Sequence, residues 1–143
     1  MHTSDEVTAA FDAMLHSPAV LESMIDLAAE LSVVAARDDH GNVVAWPVTE
    51  NRHRDGILDV SIAPARVDAD TAREAHALAT AIAAALDYRG VLCVELFVSR
   101  EGALLVNEIA PRPHNSGHYT IDACATSQFE QQARILGGLP MGD

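Results

Sequence analysis

Two apolar runs flank a short turn in residues 91–110, and each run carries one carboxylate where a core side chain would be expected. The runs are rich in Val and Leu, and the turn contains a glycine, so the pattern predicts a β-hairpin. A two- or four-residue loop would set Glu95 opposite Val106 and make Glu95 and Glu108 diagonal neighbours. In that register one face of the hairpin carries Val91, Cys93, Glu95, Phe97, Leu104, Val106 and Glu108.

Two carboxylates that lie close together on an apolar face repel each other and lose hydration. They must therefore be protonated, paired with a cation or bound to a metal. A hard, oxygen-seeking ion such as Mg²⁺ resolves the conflict and usually also holds substrate phosphates. The alternative is that the face with Glu95 and Glu108 is simply solvated, because the opposite face is at least as apolar. That opposite face carries Leu92, Val94, Leu96, Leu105 and Ile109.

The segment after the hairpin, residues 110–118, is predicted to be neither regular strand nor helix. Its two prolines remove backbone donors and push the residues before them toward extended geometry. A rigid segment of this kind would present Arg112, His114 and Asn115 just beyond the two carboxylates. The planar guanidinium of Arg112 suits a carboxylate or a phosphate. The alternative is an ordinary surface loop with a turn at residues 115–117.

Composition narrows the class of protein. A chain of 143 residues fits one domain, and with 49% hydrophobic but only 4% aromatic residues its core must be mostly aliphatic. The formal charge of −12 argues against a nucleic-acid binder, because phosphate contacts need clustered Lys and Arg. The sequence shows neither a signal peptide nor an apolar run long enough to span a membrane, so we expect a cytoplasmic protein with no membrane partner.

The remaining pattern predicts an α+β domain with a mainly antiparallel sheet and helices packed on one face. Residues 50–66 are predicted to form an irregular functional loop with only short strand pieces. The other elements are expected as helices over residues 4–16, 70–87 and 121–136 (the last broken near Ser127), and as strands over residues 20–26, 30–37 and 42–48.

Three segments carry a family resemblance: NEIAPRPHNSGHYT at 107–120, ENRHRDGILDVSIAPAR at 50–66 and SQFEQ at 127–131. They resemble the N5-carboxyaminoimidazole ribonucleotide synthases, ATP-grasp carboxylases of de novo purine synthesis. Many ATP-grasp enzymes show Glu-x-Asn-x-Arg at the metal strand, whereas this chain has Ala110 in place of that Asn, as the aminoimidazole branch does. Formate-dependent glycinamide ribonucleotide transformylase is the alternative relative through Pro-Arg-Pro-His, but residues 115–120 favour the carboxylase.

The resemblance implies an ATP-dependent carboxylation of 5-aminoimidazole ribonucleotide with bicarbonate, giving N5-carboxyaminoimidazole ribonucleotide. Its implied cofactors are ATP and Mg²⁺, with Mn²⁺ as a substitute ion, and its implied assembly is a homodimer. Glu95 and Glu108 match the metal ligands of the family. Arg112, His114 and Asn115 match the segment that holds bicarbonate and the acyl phosphate made from it.

The resemblance also implies a set of nucleotide contacts. A strand entering the cleft would contact the adenine edge, Glu30 would accept from the ribose hydroxyls and His53 would lie near the nucleotide. Asn107 and Glu108 would adjoin the phosphates, although the predicted register points the Asn107 side chain away from Glu108. The adenine-contacting strand matches Glu22, Ser23, Met24 and Ile25.

The same resemblance implies that residues 1–143 are the C-terminal half of an ATP-grasp domain. The family enzymes also have an N-terminal domain, a Gly-rich phosphate loop and a C-terminal domain, and we find no match to these in this sequence, which contains no Lys. We therefore expect the isolated chain not to turn over. The alternative is a non-catalytic module that binds Mg²⁺ and nucleotide.

Overall fold

A six-stranded antiparallel sheet organises residues 3–143, the part of the chain that the computed structural model describes. Its strands are β1 (Leu27–Arg37), β2 (Val43–Ala45), β3 (Thr49–Arg54), β4 (Ile57–Ile62), β5 (Gly90–Ser99) and β6 (Leu104–Ala110). The strand order is β4-β3-β1-β5-β6, and β2 pairs with the end of β1. The long apolar strands β1 and β5 are central because both of their faces are covered.

The helices are α1 (Ser4–Ala13), α2 (Ala69–Ala85), α3 (Thr120–Ala123) and α4 (Gln128–Leu136). Helix α2 covers one face of the sheet and begins where the Asp68 carboxylate accepts hydrogen bonds from two backbone N–H groups. Its buried stripe is Ala75, Ala79 and Ala83. The stripe packs against Leu31, Val33, Val48, Leu92, Val94 and Leu96. Each fully buried Leu in this cluster contributes about 1.5–3 kcal/mol.

The other face of the sheet is covered at one end by the C-terminal part of the chain. There the Trp46 indole donates a hydrogen bond to the Thr126 carbonyl at 3.1 Å. The cluster on this face is Val34, Ala36, Trp46, Val91, Cys93 and Ala110, with Tyr119, Cys124 and Ile135 packed against it. The predicted α+β class with a mainly antiparallel sheet is therefore confirmed. Helices lie on both faces rather than on one, because α4 contributes Ile135 to this second cluster.

Two predicted elements differ from the structure. The strand predicted over residues 20–26 is absent, since residues 17–26 have no regular structure and β1 begins at Leu27. The apolar run there finds no partner strand, and Val20 and Met24 are 85% and 75% exposed. The predicted irregular loop over 50–66 is instead largely the hairpin β3–β4. Its turn is Asp55-Gly56, where both residues have positive φ (53° and 75°), as a tight hairpin turn requires.

The predicted break in the C-terminal helix is confirmed. Helix α3 ends at Ala123, and α4 starts after Ser127, whose hydroxyl accepts a hydrogen bond from the Glu130 N–H at 3.1 Å. The intervening residues turn the chain so that the start of α4 points back at the segment following β6. This turn brings a buried glutamine against the loop that carries the candidate site.

Candidate functional site

Glu95 and Glu108 lie directly opposite each other on β5 and β6. The predicted diagonal register is wrong, because the pairing shifts between Glu95 and Leu96 and leaves Asn107 as an extra residue in β6. Such a β-bulge sets two residues of one strand against one residue of its partner. The two carboxylates are therefore closer neighbours than the sequence predicted.

The bulge also changes which side chains share the face of the glutamates. Val106 pairs with Leu96, and Leu104 packs in the cluster under α2, so neither lies on the predicted face. Leu105 pairs with Phe97 and therefore lies on the face of Glu95, whereas the predicted register put it on the opposite face. On the side of the bulge away from the hairpin turn, the alternation of side chains is as predicted. Cys93 lies there on the same face as the glutamates, next to Ala110.

The Asn107 side chain lies on the same side as Glu95. Its hydrogen bond to Glu95 is one of the contacts that lower the pKa of that carboxyl. The prediction that Asn107 points away from the carboxylates is therefore wrong, and the physical reason is the bulge at this residue. The result is a cluster of hard oxygen donors formed by two carboxylates and one amide.

The electrostatic environment of Glu95 disfavours its charge. Burial raises the pKa of the Glu95 carboxyl, and the charge of Glu108 opposite raises it further, as does Glu30. His53 and the Asn107 hydrogen bond act in the other direction but do not reverse the shift. The Glu95 side chain is only 17% exposed, so a nearby cation would relieve both causes.

His114 lies against Glu95 from the loop after β6. Its Nε2 is 3.3 Å from Glu95 Oε1, and its Nδ1 accepts a hydrogen bond from the Ser116 N–H at 3.4 Å. Burial lowers the pKa of the His114 ring, and the charge of Arg112 lowers it further, so the ring is neutral near pH 7. Because Nδ1 is an acceptor, the ring proton is on Nε2 and points at Glu95.

Glu30 and His53 form a second acid–histidine pair on the neighbouring strands. His53 Nδ1 lies 2.6 Å from Glu30 Oε2, and both side chains are about one-quarter to one-third exposed (25% and 30%). Both charges act on Glu95, so the pair belongs to the same electrostatic cluster. The structure thus brings together Glu30, His53, Glu95, Asn107, Glu108 and His114.

A buried polar layer beneath this cluster was missed from the sequence. Ser32 lies opposite Glu95 on β1 and accepts a hydrogen bond from Asn51 Nδ2 at 2.5 Å. The Ser61 hydroxyl donates to Asn51 Oδ1 at 2.9 Å. The signal in the sequence is the alternation of Glu30 and Ser32 within the otherwise apolar strand β1, which marks one polar face.

The remaining predicted residues lie around this cluster rather than in it. Glu22, Ser23 and Ile25 line a groove of about 260 Å³ next to Asn107, although they form no strand. Met24 does not line that groove and is 75% exposed.

Arg112 and Asn115 flank His114 on the same loop. Arg112 is exposed, and its Nη1 donates to the Pro113 carbonyl at 3.0 Å. Asn115 lines a separate pocket of about 420 Å³ with Ser61 and His118. The loop therefore places His114 against Glu95, leaves Arg112 exposed beside it and presents Asn115 at a neighbouring surface.

The ATP-grasp domain model matches residues 1–129. The chain belongs to the ATP-grasp family. The N5-carboxyaminoimidazole ribonucleotide synthase of Brucella melitensis is 51% identical over 134 residues, which are 94% of this chain and 37% of that protein. The resemblance predicted from the sequence motifs is thereby confirmed.

Solved structures show the same relationship. An ADP complex of N5-carboxyaminoimidazole ribonucleotide synthetase matches with a TM-score of 0.94 and 40% identity, covering 100% of this chain and 38% of that one. The Aspergillus clavatus enzyme in complex with ADP and 5-aminoimidazole ribonucleotide matches with a TM-score of 0.91 and 35% identity, covering 98% of this chain and 37% of that one. This ATP-grasp chain thus spans less than two fifths of the length of each of these relatives.

Protein side chains alone do not complete a metal site in the part of the chain that the structure describes. Across residues 3–143, no group of three or more His, Cys, Asp and Glu side chains is arranged to hold a metal ion. The same residues contain no helix long and apolar enough to cross a membrane. A cation at Glu95 and Glu108 would therefore take its other ligands from Asn107, water or a bound phosphate, which is how Mg²⁺ is usually held.

We expect the free energy of unfolding to fall as the pH rises through the raised pKa of Glu95. The folded chain retains the Glu95 proton at pH values above 4.5, the ordinary value, so the unfolded chain binds fewer protons there. Glu95→Gln removes this effect, and its stability relative to the parent chain should increase from acidic to neutral pH. Urea unfolding at several pH values measures this difference. The exposed Glu74→Gln on α2 should show no such trend, and a parallel trend in both variants would contradict the assignment.

We expect Cys93 to resist alkylation in the folded chain. Burial raises the pKa of the Cys93 thiol to about 12, and the residue is 0% exposed. Because the thiolate is the nucleophile, iodoacetamide at pH 8 should label the partly exposed Cys124 and leave Cys93 unlabelled until urea is added. Mass spectrometry of the two peptides measures this. Equal labelling of both thiols in the folded chain would show that the Cys93 thiol is open to solvent.

Proposed function

We propose that this ATP-grasp chain supplies the metal and bicarbonate side of a site that carboxylates 5-aminoimidazole ribonucleotide at the expense of ATP. The observation that carries the proposal is the pair Glu95 and Glu108, directly opposite each other, with His114 against Glu95. The relatives named N5-carboxyaminoimidazole ribonucleotide synthase support the choice of substrate, since one of them holds ADP and 5-aminoimidazole ribonucleotide.

We propose Mg²⁺, replaceable by Mn²⁺, as the ion at Glu95, Glu108 and Asn107. The raised pKa of Glu95 supports this, because burial and the charge of Glu108 both leave negative charge to be neutralised there. Carboxylate and amide oxygens are the ligands that this ion prefers. When bound, the ion would neutralise charge on the β- and γ-phosphates of ATP.

Nucleotide contacts are proposed for the residues around the groove beside Asn107. Glu22, Ser23 and Ile25 line it, and Met24 lies within the same segment, which supports the proposal that backbone groups of residues 22–25 contact an adenine edge. Glu30 is proposed for the ribose hydroxyls, with His53 holding its carboxylate at 2.6 Å. A carboxylate accepts hydrogen bonds from two hydroxyl groups, which suits this role.

The loop residues are proposed to act on the bicarbonate. A bicarbonate oxygen attacks the γ-phosphorus, the bond to ADP breaks, and the carboxyphosphate formed is anionic. Arg112 stabilises that anion by its charge, while His114 keeps its Nε2 directed at Glu95 and adds no negative charge beside the anion. The amine of the ribonucleotide then attacks the carboxyl carbon, phosphate leaves, and the amine loses a proton. Asn115 is proposed to contact the anion from the neighbouring surface.

Assembly and location complete the proposal. We propose that residues 1–143 form the second half of an ATP-grasp domain that acts as a cytoplasmic homodimer. Multi-angle light scattering of the protein tests the dimer. A second candidate for the chain by itself is a non-catalytic module that binds Mg²⁺ and nucleotide, which the carboxylate pair Glu95 and Glu108 supports without any of the loop residues.

A chimera tests the proposed reaction. This chain replaces the matching 134 residues of the Brucella melitensis relative, and ADP release is measured with bicarbonate and 5-aminoimidazole ribonucleotide. We expect ADP release that depends on both substrates, and no ADP release from the isolated 143-residue chain. Calorimetric Mg·ATP binding without such turnover would support the non-catalytic module. Turnover with glycinamide ribonucleotide and formate instead would support the transformylase alternative.

A further inference from the structure

We propose that Gln128 is a positioning residue that holds the His114 loop against Glu95. The Gln128 side chain brackets His114 through both of its backbone polar groups. The His114 N–H donates to Gln128 Oε1 at 2.9 Å, and Gln128 Nε2 donates to the His114 carbonyl at 2.7 Å. Gln128 is 0% exposed, so these hydrogen bonds form without competition from water. The inference rests on the proposed function of His114 and extends it to a residue outside the site.

The bracket is itself fixed at the start of α4. The Gln128 N–H donates to Thr120 Oγ1 at 3.0 Å, and that hydroxyl donates to the Gly117 carbonyl at 2.7 Å. The loop passes so close that a Cβ on Gly117 would lie 2.6 Å from Gln128 Oε1. The first residue of α4 therefore holds the loop directly at His114, just before the 3₁₀ turn (Asn115–Gly117), and through Thr120 at Gly117, the last residue of that turn.

Fixing the backbone of His114 also fixes its ring. The ring Nδ1 lies 2.9 Å from the Ser116 hydroxyl, and Ser116 is 0% exposed. With the backbone held by Gln128 and Nδ1 held by Ser116, only Nε2 remains to face Glu95 at 3.3 Å. Arg112 and Asn115 are part of the same loop, so loss of the bracket would displace the His114 ring and both proposed contacts to the bicarbonate-derived anion together.

Helix α4 provides a matched control. Gln131 is 1% exposed and brackets the backbone of Gly142 in the same way. The Gly142 N–H donates to Gln131 Oε1 at 2.9 Å, and Gln131 Nε2 donates to the Gly142 carbonyl at 3.2 Å. Substitution of either glutamine removes a buried amide and two hydrogen bonds from the same helix. Only Gln128 is connected to the site.

Hydrogen exchange and ¹⁵N NMR of the 143-residue chain without ligand test the proposal. In Gln128→Leu we expect the His114 amide to exchange roughly tenfold faster, the equivalent of one lost hydrogen bond, while the Gly142 amide keeps its protection. Gln131→Leu should show the reverse. At a fixed pH of about 7.5, the His114 ring should change from one Nε2–H tautomer to a mixture of tautomers in Gln128→Leu only.

Gln128→Glu keeps the acceptor for the His114 N–H and loses the donor to its carbonyl, so it tests the bracket if the Leu variant does not fold. Intermediate exchange at His114 with a changed ring tautomer supports the proposal. A His114 amide that exchanges freely in the parent chain, or a ring tautomer that is identical in all folded variants, overturns it. Equal effects of the Gln128 and Gln131 substitutions on His114 would also overturn it.

The chimera separates this proposal from the proposed function. There, Gln128→Leu should raise the KM for bicarbonate and leave the KM for ATP unchanged, because the nucleotide contacts lie on other elements. An unchanged KM for bicarbonate in an active chimera would contradict the positioning role. A chimera without any carboxylation activity would contradict the proposed function, while the ligand-free exchange and tautomer measurements would still decide the role of Gln128.

Discussion

Glu95→Gln in the chimera will lower the release of ADP that depends on bicarbonate and 5-aminoimidazole ribonucleotide by about 100-fold or more. A bound metal ion contributes several kcal/mol of charge stabilisation in a phosphoryl transfer, which weakened binding of the ion would remove, and each 1.36 kcal/mol corresponds to about a factor of ten in rate. Glu95 is the more buried of the two carboxylates and has the raised pKa, so its replacement removes the charge that a cation would neutralise. Glu108→Gln should act in the same direction.

The control for this prediction is Glu74→Gln. Glu74 is exposed on α2, on the opposite side of the sheet, and the substitution has the same size and the same change in charge. We expect full activity in that variant. The folded state of Glu95→Gln should be at least as stable as the parent, since the repulsion from Glu108 is removed. Equal rates in Glu95→Gln, Glu74→Gln and the parent would show that the glutamate face is merely solvated and that the proposed metal site is wrong.

The hairpin and its carboxylates were predictable because they depend on local sequence. Two apolar runs, residues 91–98 and 104–110, flank a short turn with a glycine and so place Glu95 and Glu108 on neighbouring strands. The β-bulge was not predicted, because strand alternation assumes one residue against one residue. Its signal was nevertheless present: Asn107 and Glu108 are consecutive polar residues in an apolar strand, and both can reach one face only if a residue is inserted.

The edge of the sheet was harder to predict than its centre. The hairpin β3–β4 was predicted as a loop because residues 50–66 contain Gly56, Pro64 and mixed charge. The Arg52 and Arg54 side chains are exposed on a strand near the edge of the sheet, where no apolar face is required to define alternation. Residues 20–26 gave the opposite error, because an apolar run without a partner strand does not form a strand.

The supports of the site depend on tertiary contacts that no local pattern records. Gln128 and His114 meet through hydrogen bonds across 14 residues of sequence, and Asn51 meets Ser32 across 19. A buried glutamine at a helix start resembles any polar residue in a first turn until the fold places a backbone segment against it. The family resemblance supplied His114 and Arg112 as candidates, but it supplied no reason for the position of their loop.

Gly117→Ala will destabilise the chain by roughly 2–4 kcal/mol. Its added Cβ would lie 2.6 Å from Gln128 Oε1, 2.8 Å from its Cδ and 3.0 Å from Val34 Cγ2, and all three atoms belong to buried residues. Overpacking of this kind costs about 1–3 kcal/mol, and displacement of the Gln128 amide would leave buried groups of His114 unsatisfied at a similar cost. Urea unfolding followed by the fluorescence of Trp46, the only Trp in the chain, measures the loss.

A double-mutant cycle assigns this loss to the contact with Gln128. Gln128→Ala removes the side chain that the new methyl group would strike, so Gly117→Ala should cost less in that background than in the parent. We expect the two substitutions to be coupled by about 1–2 kcal/mol, within the range seen for residues in contact. Val34 remains in place in both backgrounds, so some cost should persist. Additivity within about 0.5 kcal/mol would instead mean that the loop yields to the methyl group without moving Gln128, and the bracket would then not set the position of His114.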